Sequence, residues 1–250
     1  MKPFIHALRW LLVWSVLPIS SANAETAVQT PTNITLASEE WKNATHSDGS
    51  GLYWDIFRYV YEPIGITVKT VSIPYETAVN YTERGRADAW VGSYIDEKEF
   101  PLYPSWHFDI DVISVMFTSE KVDQFQGASS LNNQRVAWIK GYDFYPYFDK
   151  SIVAFEIENR KNLLRMLKKG RIDYYLDARV DMDFAKNELY QNDDSLIVRD
   201  LLTLKLYPAF SDSEKGKALS RIWDQRMEEI KGTKKMKGLF KQWGFDYPFH

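Results

Sequence analysis

Nucleophilic, metal-bound and phosphate chemistry each need side chains in a recognisable order, and this chain lacks most of those orders. A serine or cysteine nucleophile needs a histidine held by a carboxylate. No Gly-x-Ser-x-Gly elbow is present, and the chain has no cysteine, which also removes disulfides and thiolate zinc sites. The four histidines, His6, His46, His107 and His250, show none of the spacings of a helical or strand ligand pair, so no metal centre is expected. Neither a Walker loop nor Gly-x-Gly-x-x-Gly occurs, and Gly49-Ser50-Gly51 reads as a loop leading into a helix. The 34 acidic residues offer too many pairs to single out the two carboxylates of a glycosidase. These patterns assign no catalytic residue and no cofactor.

Acidic and aromatic side chains remain, and the elements around them decide where they stand. Ile34 to Ala37 is a first strand; Leu52, Ile56, Tyr59 and Val60 recur at helix spacing, with Pro63 and Gly65 as the stop. Ile66 to Val71 alternates as a strand, Pro74 opens a helix over Tyr75 to Arg84, and Ala87 to Val91 is a third strand. This βαβαβ succession predicts a parallel sheet. The segment Gly85-Arg86-Ala87-Asp88-Ala89-Trp90-Val91 returns as Gly170-Arg171-Ile172-Asp173-Tyr174-Tyr175-Leu176, each time after a helix. Helix-ending Gly-Arg-x-Asp is also common loop chemistry, yet two matched copies predict two lobes of similar construction. Asp111 to Phe117 and Leu201 to Phe210 are the expected crossings between them. One lobe then spans 33–115 plus 207–250 and the other 118–203, and the fold class is α/β, two lobes joined by a hinge of two crossing strands. Ligands of such sheets bind outside the carboxyl ends of the strands, so a cleft between the lobes is the expected site.

Composition agrees with a folded chain of one large or two modest domains: 250 residues, 45% apolar and 15% aromatic. A net charge of −3 speaks against nucleic acid as a partner, whose readers carry a basic face. Lys2 and Arg9, the apolar stretch Trp10 to Ile19 and Ala22-Asn23-Ala24 match the three parts of a secretory signal, so residues 1–24 are expected to be cleaved. No cysteine follows the apolar stretch, which excludes lipoprotein attachment. A chain this long can bury a sufficient core without disulfides, and the bacterial periplasm is the expected location.

Together these segments resemble the bacterial extracellular solute-binding proteins of family 3, the polar amino acid type, whose fold is the periplasmic-binding protein type II "Venus flytrap". The resemblance rests on Ile34 to Trp41, Gly51-Leu52-Tyr53-Trp54-Asp55-Ile56, Gly85 to Gly92, Phe108 to Val115, Val136 to Gly141, Gly170 to Asp177, and Gly232-Thr233 through Trp243-Gly244. It implies a monomer that captures a small polar solute, an amino acid, an amine or a related molecule, for an inner-membrane ABC permease or a membrane sensor. Carried over residue by residue, the implied ligand contacts are Glu40 and Trp41 after the first strand, Trp54 in the helix start, Ser93 and Tyr94, Tyr142 and Asp143 after Gly141, and Asp177 for an ammonium group.

One departure narrows the ligand. Amino acid binders of this family follow Ile-Thr-x-x-Arg, whose arginine clamps the α-carboxylate, whereas this chain reads Ile95-Asp96-Glu97-Lys98-Glu99. Glu99 stands at the clamp position and repels a carboxylate, with Lys98 and Arg179 as candidate replacement charges. A cationic or carboxylate-free solute, held by Glu40, Asp143 or Asp177 and stacked on Trp41, is therefore the sharper expectation. The alternative is a dehydratase-like periplasmic enzyme on the same scaffold, with Glu99 or Asp177 as acid/base.

Overall fold

The computed structural model describes residues 30–249; the expected leader, residues 1–24, lies outside them. In chain order the strands and helices are β1 (Asn33–Ser38), α1 (Leu52–Tyr61), β2 (Thr67–Ser72), α2 (Tyr75–Glu83), β3 (Ala89–Tyr94), β4 (Asp109–Thr118), β5 (Arg135–Ile139), β6 (Val153–Ile157), α3 (Arg160–Lys168), β7 (Tyr174–Ala178), α4 (Arg179–Leu189), β8 (Leu196–Phe210), α5 (Glu214–Ile230) and α6 (Lys234–Trp243). Among the described residues no helix is long and apolar enough to cross a membrane.

The strands run in the order β2-β1-β3-β8-β4-β7-β5-β6. Each end is a parallel triplet, β2-β1-β3 and β6-β5-β7, followed inward by an antiparallel strand. The two halves share one continuous eight-stranded sheet. β8 is 15 residues long and pairs with β4 along Leu196–Leu206, then with β3 along Leu206–Phe210. The ladder therefore never breaks between the halves. Pro208 has no N–H to give that ladder, and it stands opposite Val91 where the register shifts between Val91 and Ser93.

The repeated Gly-Arg-x-Asp is the same device built twice. Gly85 (φ +67°) and Gly170 (φ +62°) end α2 and α3 in the left-handed conformation, and the next residue closes the turn: Arg86 N–H to Tyr81 O at 2.8 Å, Arg171 N–H to Met166 O at 2.9 Å. The aspartate then fastens the neighbouring strand. Asp88 accepts from Thr35 N at 2.7 Å, and Asp173 accepts from Arg135 N at 3.1 Å.

α4 has no counterpart among the sequence expectations. Its Val180 and Phe184 are exposed while Met182 and Ala185 are buried, so its apolar residues do not form the single stripe that marks an amphipathic helix. The helices are held by large aromatics: Phe57 of α1 lies 4.8 Å, centroid to centroid, from Trp223 of α5, and Tyr61 donates to Leu219 O at 3.0 Å. On the other half, Leu163, Leu164 and Leu167 of α3 are buried with Tyr175 of β7.

Candidate functional site

Between the two halves lies a cavity of about 690 Å³. Its walls come from loops at strand ends, from the hinge strand β4 and from α4: Trp41 after β1, Tyr94 on β3, Asp109 and Asp111 on β4, Tyr142 and Asp143 after β5, and Asp181 and Phe184 on α4. The segment Gly244 to Pro248 closes one side. Six carboxylates and two cations, Lys42 and Arg179, line it.

Three of the carboxylates form matched pairs with tyrosines. Asp109 accepts from Tyr53 OH at 2.8 Å, Asp111 from Tyr94 OH at 3.0 Å and Glu97 from Tyr75 OH at 2.6 Å. Burial pushes Asp109 up to about 7, and burial together with the neighbouring charge of Asp109 pushes Asp111 up to about 8. Burial raises Glu97 as well. Its Oε2 accepts three bonds, from Tyr75, Ser93 and the Tyr94 amide, while its buried Oε1 accepts none among the described residues. None of the three forms an ion pair within the described residues. Lys98, whose charge acts on Glu97, lies 3.7 Å from Asp143.

Beside the cavity, and sharing Asp181 with its wall, a second cluster is built around an arginine. Arg160, the first residue of α3, donates through Nε to Asp177 Oδ2 at 2.8 Å and through Nη2 to Asp177 Oδ1 at 3.2 Å and Asp181 Oδ2 at 2.8 Å. Tyr175 OH and the Ala178 amide donate to Asp177 as well, so this fully buried carboxylate is saturated. Arg160 Nη1 reaches to 4.0 Å from Glu39 Oε1, across from the other half. Further contacts bridge the halves: Trp41 Nε1 donates to Tyr142 OH at 2.9 Å, Lys140 pairs with Glu76 at 3.3 Å, and Lys42 Nζ lies 4.2 Å from the Phe184 ring centre.

Of the residues expected from sequence, Trp41, Tyr94, Tyr142, Asp143 and Arg179 line the cavity. Arg179 is engaged elsewhere, by Asp183 and Asp200, each at 2.7 Å. Ser93 lies behind the wall, bonded to Glu97, and Asp177 lies behind it under Arg160. Three stand apart: Glu40 is exposed and bonds Ser47, Glu99 is exposed on its turn, and Trp54 is fully buried with its Nε1 donating to His46 O at 3.2 Å. The clamp position points away from the cleft because the turn after β3 turns Glu97, not Glu99, inward, and on α1 it is Tyr53, not Trp54, that lines the cavity. Sequence reasoning missed Asp109, Asp111, Glu97, Asp181 and Arg160. The first two carried a readable signal: acids two apart in an otherwise apolar strand share one face.

No family model and no curated protein matches the sequence. Solved structures do match in fold. A histidine kinase sensor domain with similarity to periplasmic binding proteins superposes with TM-score 0.68 at 16% identity, covering 86% of this chain and 96% of its own. An ABC uptake transporter substrate-binding protein from Streptococcus pneumoniae with bound histidine gives 0.67 at 16%, covering 88% and 95%. An ancestral amino acid-binding protein described as a precursor of cyclohexadienyl dehydratase gives 0.65 at 13%, covering 85% and 95%. At these identities the likeness establishes the two-lobed periplasmic-binding protein fold.

Proposed function

We propose that this chain is an exported, monomeric solute-binding protein that captures a small cationic solute between two lobes, residues 33–115 plus 207–250 and residues 118–203. It delivers the solute to an inner-membrane ABC permease or presents it to a membrane sensor. The observation that carries the reading is the cavity with three tyrosine-bonded carboxylates, Asp109 and Glu97 buried and Asp111 partly so, that form no ion pair among the described residues. Buried carboxylates without a counter-charge are costly, and a ligand cation supplies it. Trp41, Tyr53 and Tyr94 add ring faces for cation–π contact. Closure would bend β4 and β8, the two strands common to both halves. The histidine-bound transporter protein and the sensor domain among the similar structures support either destination. A thermal-shift screen of the protein processed after Ala24 tests the reading, because a ligand at 100 times its Kd stabilises by ~2.7 kcal/mol. Amines and guanidines are expected to raise Tm, and Asp111→Asn to abolish the rise. A response to neutral amino acids or organic acids alone defeats the reading.

One observation favours a second reading, a dehydratase-like enzyme. Asp109 and Asp111, held near 7 and 8 inside the cavity, are suited to proton transfer at neutral pH. In this reading they take the acid/base role, since Glu99 is outside the cavity and Asp177 is sealed by Arg160. Water loss from a cyclohexadienyl compound in the presence of purified protein, and its absence in Asp109→Asn, is the expected result.

A further inference from the structure

The three carboxylates without an ion pair among the described residues stand at two ends of one cavity, with Lys98 beside the Glu97 end, 3.7 Å from Asp143. Asp109 and Asp111 share a face of β4 at one end. Glu97 lies at the other, in the turn after β3. Tyr94 measures the gap, since its amide donates to Glu97 at 3.3 Å and its hydroxyl to Asp111 at 3.0 Å. The two ends are therefore about one tyrosine side chain apart.

An aromatic wall runs the same way. Tyr75 bonds Glu97, Tyr53 bonds Asp109, and Trp41 stands between them with its ring centre 6.1 Å from that of Tyr75 and 6.4 Å from that of Tyr53. Such a wall suits methylene groups, and the ends suit N–H donors. Glu97 is 8% exposed and lines the cavity, and its Oε1 has no hydrogen-bond partner among the described residues. Buried acceptors are almost always bonded, so an unbonded one on a residue that lines a cavity points to a missing donor. Asp143 Oδ1, also on the cavity, is buried and unbonded too.

We infer that the solute is a linear dication, a diamine or polyamine, with one ammonium group at Asp109 and Asp111, the other at Glu97 and Asp143, and its methylene chain along Tyr75, Trp41 and Tyr53. This rests on the proposed capture of a cation and names its class. A single-headed cation satisfies one end and leaves Glu97 Oε1 unbonded; a chain that is too short cannot reach both.

Calorimetric titration with α,ω-diaminoalkanes of increasing length, each beside the 1-aminoalkane of equal carbon number, tests the inference. The expected result is a best diamine length that binds at least tenfold more tightly than its monoamine. Glu97→Gln is expected to bring that ratio close to one. Diamines no tighter than monoamines overturn the dication while leaving cation capture intact, and failure of every amine defeats both. The wild-type comparison decides the matter even if Glu97→Gln does not fold.

Discussion

Arg160 and Asp177 meet as a fork on a fork, Nε to Oδ2 at 2.8 Å and Nη2 to Oδ1 at 3.2 Å, beside the cavity and behind its wall. A guanidinium supplied by the chain thus fills the seat that the family resemblance implies for a ligand's ammonium group. The cost of burying Asp177 is offset from inside the molecule, whereas the tyrosine-bonded carboxylates Asp109, Asp111 and Glu97 form no ion pair among the described residues.

Arg160→Ala strands Asp177 without a cation at a site with no solvent exposure. Removing one partner of a buried pair costs ~3–5 kcal/mol, so urea unfolding should register a loss of that order. A loss well below that range would mean that the pair is not what the arginine stabilises.

The aspartates of the hinge strand set a pH dependence of their own. Asp109 and Asp111 are raised from the usual carboxylate range to about 7 and about 8, so between about pH 4 and pH 8 the folded chain holds more protons than the unfolded one. Their contribution to the stability of the solute-free protein is full below the unfolded value near 3.8 and is lost as pH rises through 7 and 8. Affinity for a cationic solute runs the opposite way, since the solute needs the ionised form. Titrations from pH 6 to pH 8.5 should give a Kd that falls by up to tenfold per pH unit for each proton released, with heats that differ between buffers of different ionisation enthalpy. A flat profile would take these two residues out of the site.

Asp88→Ala should lower stability by ~1–3 kcal/mol through loss of a partly buried charge-assisted bond from the Thr35 amide and of the Lys215 ion pair at 2.7 Å, and should leave solute affinity unchanged. Thermal unfolding with and without the best solute separates the two quantities. This pair of aspartates, Asp88 and Asp173, also illustrates how much of the molecule is legible in sequence. Gly-Arg-x-Asp specifies a local event, a helix stop and a strand start, so its two copies, the strands around them and the crossing strands can be read from residue order. The site is assembled from loops whose turns decide which side chain faces inward. Glu97 and Glu99 are two residues apart on one turn, and pattern alone cannot tell the buried acid from the exposed one. Arg160 and Asp177 are brought together by the docking of α3 on β7, and no local spacing encodes that meeting. α4 hid for a different reason: with two exposed apolar side chains and two buried ones, it lacks the stripe on which helix reading depends.

Gly92 should prove the least tolerant position in the cavity wall. Its φ of +91° is rare for any residue with a side chain, and a Cβ added there would lie 2.5 and 2.7 Å from two atoms of the Trp41 ring. Trp41 in turn donates to Tyr142 across the halves, so the backbone at this bulge sets one of the bridging contacts. Gly92→Ala is expected to cost ~1–3 kcal/mol in strain and to push the indole off its seat, breaking the bond to Tyr142. Intrinsic fluorescence should shift, and solute affinity should fall together with it. In the double variant with Trp41→Ala the steric share of the cost should disappear, leaving the φ strain alone; a cost that persists in full would show that the indole is not what the alanine meets.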